Sequence, residues 1–125
     1  MAEYTIEQVK ALTKKRHKHN AKPVRTDDGY FHSTGEYHRW LELLQLEQAG
    51  VIAGLTRQVA FPLHCATGDM VTTYSADFVY VDDGGIVVED FKGHRTAMYR
   101  LKRKWMAAEH GIVIRETGPK KRKGK

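Results

Sequence analysis

Cysteine, proline and long apolar runs are scarce in this 125-residue chain. Its one cysteine, Cys65, has no partner within the chain, which excludes a disulfide-stabilised secreted domain and favours a reducing compartment. No apolar run approaches the roughly 18 residues of a membrane span, and residues 1–10 lack the apolar core of a secretory signal. We therefore expect an intracellular, cytoplasmic protein that does not enter a membrane.

The composition is that of one globular domain. Hydrophobic residues make up 41% of the chain, and charged residues make up 29%. These shares exclude wholesale disorder, and the length allows one compact core.

Charge is unevenly distributed along the chain. Residues 10–25 carry seven Lys/Arg and no acid, residues 95–125 carry eleven against two, and residues 26–94 carry three against eleven. Basic segments suit a polyanionic partner because cations that meet phosphates release counterions, so DNA is the expected partner. The alternative to DNA binding is that these basic segments are only a solvent-exposed surface of the protein. The predicted DNA-binding residues are Lys14, Lys15, Arg16, Lys18, Arg95, Arg100, Lys102, Arg103 and Lys104.

The apolar pattern predicts an α/β fold with an α-β-β-β-α-β core, in which a mixed central sheet is flanked by helices. The organisation is a basic N-terminal helix and arm over 1–25, a folded domain over 26–117 and a basic C-terminal tail over 118–125. Helices are predicted over 33–49 and from Thr96 to about residue 110, the second burying Ala108. Strands are predicted over 55–63, 71–81, 85–92 and 112–114.

The turn Asp83-Gly84 predicts a hairpin in which Asp77 faces Asp90. Opposed Cβ atoms lie about 4.5–5.5 Å apart, so two carboxylates there need compensation, which a divalent cation supplies. Lys92 projects from the same face because side chains alternate with period two. The alternative is an ordinary ion-paired patch. Glu89 faces the other side, where we expect a helix Lys or Arg as its partner.

Glu36 is a fourth candidate at the start of the first long helix. Ser33 and Glu36 form a capping-box sequence, in which Glu36 bonds the backbone N–H of Ser33. A helix cap and a site residue are both open readings, and they coexist if one carboxylate oxygen remains free.

Five short stretches in order resemble the PD-(D/E)XK nuclease superfamily, and more closely small phage-borne nucleases and archaeal-type Holliday junction resolvases. They are FHSTGE at 31–36, LTRQ at 55–58, YSADF at 74–78, VEDFKG at 88–93 and TAMYRLK at 96–102. The chain departs from that pattern at Ala76, which replaces the proline of the superfamily name. It departs further at Gly35 in the first helical turn and at Glu89, where the smaller family is usually apolar.

The resemblance implies a restriction-endonuclease-like fold and a magnesium-dependent endodeoxyribonuclease, with Mn²⁺ as a substitute metal. Asp77, Asp90 and Glu36, with the Phe91 carbonyl, carry over as metal ligands, Lys92 as the catalytic lysine, and Gln58 as a further catalytic residue.

The implied activity is that of a structure-selective DNA endonuclease, foremost a Holliday junction resolvase of phage type acting in DNA recombination. Its substrate would be branched or four-way DNA and its assembly a homodimer, in the host cytoplasm if its origin is a phage. The alternatives are a nonspecific or nicking nuclease and a noncatalytic nucleic-acid-binding protein that retains the fold.

Overall fold

The structure is a computed structural model that describes residues 23–92 and 94–119. The predicted N-terminal helix, together with Lys14, Lys15, Arg16 and Lys18, lies outside the described residues, as does most of the C-terminal tail. No helix of the described part is long and apolar enough to cross a membrane.

Six strands and two α-helices make up the described chain. In chain order they are β1 (Val24–Thr26), β2 (Gly29–Phe31), α1 (Thr34–Gln48), β3 (Ile52–His64), β4 (Met70–Asp82), β5 (Gly85–Phe91), α2 (Ala97–Trp105), which continues as a π-helical segment (Met106–His110), and β6 (Arg115–Thr117). The predicted α-β-β-β-α-β order is confirmed, and a small β1–β2 hairpin precedes it.

The central sheet has the order β3-β4-β5-β6. The first three strands are antiparallel and β6 is parallel to β5, so the predicted mixed sheet is confirmed. Pro62 lies in the edge strand β3, where a missing ladder N–H costs least.

Capping chemistry sets the helix boundaries. The Ser33 hydroxyl accepts the N–H of Glu36 at 3.1 Å to begin α1, and Gly50, with a φ of 80°, follows its end. The Thr96 hydroxyl accepts the N–H of Tyr99 at 3.1 Å to begin α2.

Two apolar clusters hold the helices on the sheet. Leu43 of α1 is buried with Ile52, Phe78 and Tyr80. A second cluster joins α2 and the π-helical segment to the other half of the sheet; its buried members are Leu63, Tyr74, Ala76, Val88, Tyr99, Leu101, Trp105, Met106 and Ile114. Tyr74 and Ala76 thus pack with α2, whereas Phe78 and Tyr80 of the same strand pack with α1. The change falls at Asp77.

Two details of the prediction are wrong. The strand expected over 112–114 forms at Arg115–Thr117 instead, because pairing with β5 begins at Glu89 opposite Arg115. Ala108 is exposed. It lies in the π-helical segment, whose wider turn rotates side chains away from the positions that a 3.6-residue period gives them.

Candidate metal centre

The β4–β5 hairpin has the predicted register. Asp82 pairs with Gly85 and Phe78 with Glu89, around a turn in which Asp83 and Gly84 both have positive φ. Asp77 and Asp90 are the next residues along the two strands. The Phe91 N–H donates to Asp77 Oδ2 at 2.9 Å, which ties the Asp77 carboxylate to the end of β5.

Asp90 is a buried carboxylate that forms an ion pair with Lys92 but accepts no hydrogen bond from a described residue. Its residue exposure is 1%, and neither of its oxygens accepts a hydrogen bond within the described part of the chain. Burial, followed by the neighbouring Asp77, raises the pKa of Asp90 to about 8. Burial is also the main cause that raises the pKa of Asp77, and the charge of Glu36 adds to it. Two acids with raised pKa values, in contact and out of water, are the arrangement that a bound cation relieves.

Lys92 lies beside Asp90, and part of its side chain is exposed to solvent. Its Nζ is 3.4 Å from Asp90 Oδ2 and 4.5 Å from the ring centroid of Tyr99, and its side chain is 27% exposed. A second amine is close by, because desolvation and the charge of Lys92 both lower the pKa of Lys102. The amine of Lys92 therefore borders both Asp90 and solvent.

Glu36 serves as helix cap and site residue at once. Its residue exposure is 3%, and its Oε1 accepts the backbone N–H of His32 at 3.2 Å. The capping box is thus modified, since this bond goes to His32 rather than to Ser33 as predicted. Oε2 faces Gln58, whose Nε2 lies 3.4 Å away.

Gln58 bridges two of the carboxylates. Its Nε2 is 3.4 Å from both Glu36 Oε2 and Asp77 Oδ1, while its Oε1 accepts the Ser75 hydroxyl at 3.2 Å. Its φ of 52° places it in the left-handed region, which costs a non-glycine residue about 1–3 kcal/mol and concentrates at functional sites. The amide of Gln58 thus lies between the carboxylates of Glu36 and Asp77.

Glu89 has a structural role on the opposite face, as predicted. Arg39 of α1 donates to both of its oxygens, at 2.6 and 3.0 Å. The hydroxyl of Thr117 donates to it as well, at 3.0 Å. Burial opposes ionisation of Glu89, but these donors outweigh it and lower its pKa.

The sequence prediction missed His32. Its ligand atom lies within 4.8 Å of those of Glu36 and Asp77, a spacing compatible with a shared metal ion. No helical spacing rule could have found it, because His32 lies before α1, which begins at Thr34.

The DNA-binding candidates of the described chain fall into two groups. Arg95 and Arg103 bind Glu116, at 2.8 and 2.6 Å, and so join α2 and the segment before it to β6. Arg100 and Lys104 are exposed on α2, whereas Lys102 is half-buried beside Lys92. Arg100 and Lys104 are therefore the best placed of these to meet a ligand.

The family described as "Protein of unknown function (DUF1064)" matches residues 16–117 of this chain, so the chain belongs to that family. No curated protein and no solved structure matches it.

Proposed function

We propose that this protein is a metal-dependent endonuclease of the PD-(D/E)XK type, which hydrolyses phosphodiester bonds in DNA. The observation that carries the proposal is Asp90, whose two buried oxygens accept no hydrogen bond within the described residues, lie beside a second buried acid, Asp77, and have the amine of Lys92 at 3.4 Å from Oδ2. An apolar or amide side chain would cost less at this position if stability alone mattered. A divalent cation would add positive charge beyond that of the Lys92 amine, beside which the pKa of Asp90 is still raised to about 8.

The donor set fits a hard divalent ion. Asp77, Asp90 and Glu36 offer carboxylate oxygens, the ligands that Mg²⁺ and Mn²⁺ take, and the Phe91 carbonyl is a fourth candidate. When bound, such an ion supplies positive charge to the reacting phosphate and acidifies a bound water. All of these ligand atoms are oxygens, and none is a thiolate sulfur of the kind that softer metals favour.

Three side chains or backbone groups have roles of their own. The Phe91 N–H fixes the orientation of Asp77, and the Gln58 amide holds Asp77 and Glu36 together. The amine of Lys92, partly exposed beside Asp90, is placed to donate to a phosphate oxygen as negative charge develops there.

We propose branched DNA as the substrate and a Holliday junction resolvase as the kind of nuclease. Arg100 and Lys104 on α2, with the basic segment 10–25, provide cations that meet phosphates without reading bases. A two-fold dimer of such a domain presents two sites to opposing strands of a four-way junction, so the proposal includes a homodimer.

A cleavage assay on a panel of substrates tests this proposal. Labelled four-way junction, flap, single-stranded and duplex DNA of shared sequence are incubated with the full-length protein in Mg²⁺, in Mn²⁺ and in EDTA. We expect product that requires metal, with the junction cut about tenfold faster than the duplex, a preference of about 1.4 kcal/mol.

The other outcomes are equally informative. Equal cutting of junction and duplex would reject the resolvase and leave a nonspecific or nicking nuclease. DNA binding without product in either metal would reject the enzyme and indicate a noncatalytic nucleic-acid-binding protein.

A further inference from the structure

His32 lies close to the carboxylates of Glu36 and Asp77, although a magnesium site made of oxygen ligands alone would not include a histidine. Its ligand atom, with those of Glu36 and Asp77, forms a group in which all atoms lie within 4.8 Å of one another. Ligands of one octahedral ion at about 2.1–2.2 Å are separated by about 3 Å when adjacent and about 4.3 Å when opposite. The three side chains are therefore spaced closely enough to share one ion.

A plain ion pair at the helix start does not account for this placement. His32 Nδ1 is 3.6 Å from Glu36 Oε1, beyond hydrogen-bond length, and that oxygen already accepts the backbone N–H of His32. The imidazole therefore makes an ion-pair contact with Glu36 but no hydrogen bond to it. It packs edge-on to the ring of Tyr30 at 5.5 Å, and with 68% of its side chain exposed it has room to turn toward the cluster.

A second observation points to a cation beside Asp77, next to the group of three although not within it. Asp90 lies opposite Asp77 in the hairpin, is 1% exposed, and accepts no hydrogen bond within the described chain, although the Lys92 amine lies 3.4 Å from its Oδ2. Asp90 lies in β5, whereas His32 precedes α1, so the two observations come from separate parts of the chain. A buried carboxylate beside Asp77 adds the charge that a divalent ion requires.

We propose that His32 supplies a nitrogen ligand to the metal held by Asp77 and Glu36, and that the site consequently selects Mn²⁺ over Mg²⁺. This inference rests on the metal site of the proposed function. Imidazole is a good ligand for first-row transition ions, whereas Mg²⁺ takes oxygen ligands and keeps its waters. Mg²⁺ would bind through the carboxylates alone and would gain nothing from His32.

Titration calorimetry of the full chain with Mn²⁺ and with Mg²⁺ tests the selection. We expect His32→Ala to weaken Mn²⁺ binding about tenfold or more and to change Mg²⁺ binding by less than about threefold. His38→Ala is the matched control, because His38 is also an exposed histidine of this region but is not in the group of three. It should leave both affinities unchanged.

Electron spin-echo modulation of bound Mn²⁺ gives a readout that does not depend on activity. The wild-type and His38→Ala proteins should show nitrogen modulation from a coordinated imidazole, and His32→Ala should lose it. Metal binding that is weakened by Asp77→Asn but not by His32→Ala would overturn the role of His32 and leave the metal site standing. Absence of binding of either ion by the wild type would overturn both.

Discussion

At Asp90, the burial that the fold imposes disfavours the ionised carboxylate that the proposed metal site needs. Its carboxylate is removed from water and placed beside Asp77, and it accepts no hydrogen bond from the described residues. Burial of the ionised form costs folding free energy, and the Lys92 amine, 3.4 Å from Asp90 Oδ2, offsets only part of that cost, since the pKa of Asp90 is still raised to about 8. Glu89, its neighbour in β5, is also buried, but its carboxylate accepts hydrogen bonds from Arg39, Tyr80 and Thr117. The contrast separates a buried acid that accepts hydrogen bonds from three residues from one that accepts none within the described chain and has only an ion pair with Lys92 there.

Replacing Asp90 should stabilise the metal-free protein, and more so at high pH. The pKa of Asp90 is raised from 3.8 to about 8, so the folded state holds its proton more tightly than the unfolded state does. Wild-type stability is therefore lost as pH rises from about 4 through about 8, and Asp90→Asn removes this loss. Urea unfolding in EDTA at pH 5 and pH 9 measures the difference.

Asp83→Asn provides the control, since it makes the same chemical change in the same hairpin at an exposed turn whose positive φ asparagine tolerates. It should shift stability by less than about 0.5 kcal/mol at either pH. Equal stability gains at pH 5 and pH 9 for Asp90→Asn would contradict the ionisation argument.

Residue-level prediction from sequence succeeded where a short-range rule fixes geometry. The Asp83-Gly84 turn sets the register, and the register brings Asp77 next to Asp90 and turns Glu89 toward a helix cation, which is Arg39. His32 was missed because its approach to Asp77 crosses from the start of α1 to β4, and no local pattern encodes that distance.

At the scale of elements, a close contact between α1 and β5 supports the site. Gly35 lies in the first turn of α1, and a Cβ built there would stand 2.6 Å from Cζ of Phe91. The absence of a side chain lets the Phe91 ring lie against the helix. The same residue donates its N–H to Asp77, so this contact helps to place the end of β5.

Gly35→Ala should therefore destabilise the protein, although alanine is the better helix former by about 1 kcal/mol. Overpacking against the Phe91 ring costs about 1–3 kcal/mol and outweighs that gain. Chemical denaturation measures the loss, and Gly85→Ala is the control, because its nearest atom would be 3.8 Å away.

The double variant Gly35→Ala/Phe91→Leu completes the test. Leucine has no atom at the position of Cζ, so the pair should be more stable than the sum of the single effects predicts. Additive losses would show that the two residues do not interact in the way that the contact implies.

Two elements show where periodicity fails. Ile114 is 6% exposed and Val113 is 84% exposed, so the apolar run over 112–114 reports partial burial rather than strand pairing. The strand forms where β5 offers a parallel partner, at Arg115–Thr117, and a sequence pattern cannot identify a partner distant in the chain. A single turn of π-helix likewise changed which side chains face the core after Trp105.

For the whole molecule, the segregation of charge links the proposed site to its proposed ligand. The acidic middle of the chain forms three of the four strands of the central sheet and the carboxylate cluster, whereas the basic segments flank it in sequence. A cluster of acids repels DNA unless a cation lies between them, so binding and metal are expected to depend on each other.

Neutralising the N-terminal cations should reduce the salt dependence of DNA binding. Changing Lys14, Lys15, Arg16 and Lys18 to glutamine should lower the slope of log Kd against log salt by about 3 to 4, if all four meet phosphates. Fluorescence anisotropy over a salt series measures this slope. An unchanged slope, with an unchanged melting temperature, would remove this segment from the DNA-binding surface.

The most direct test of the metal-centre account is single-turnover cleavage of a four-way junction by Asp77→Asn and Asp83→Asn, with junction affinity measured in parallel. The amide that replaces the carboxylate in Asp77→Asn retains one oxygen to accept the Phe91 N–H, so the fold should persist. We expect Asp77→Asn to cut at least about a hundredfold more slowly than wild type while binding within about threefold, and Asp83→Asn to match wild type in both. Cleavage by Asp77→Asn at the wild-type rate would contradict the account.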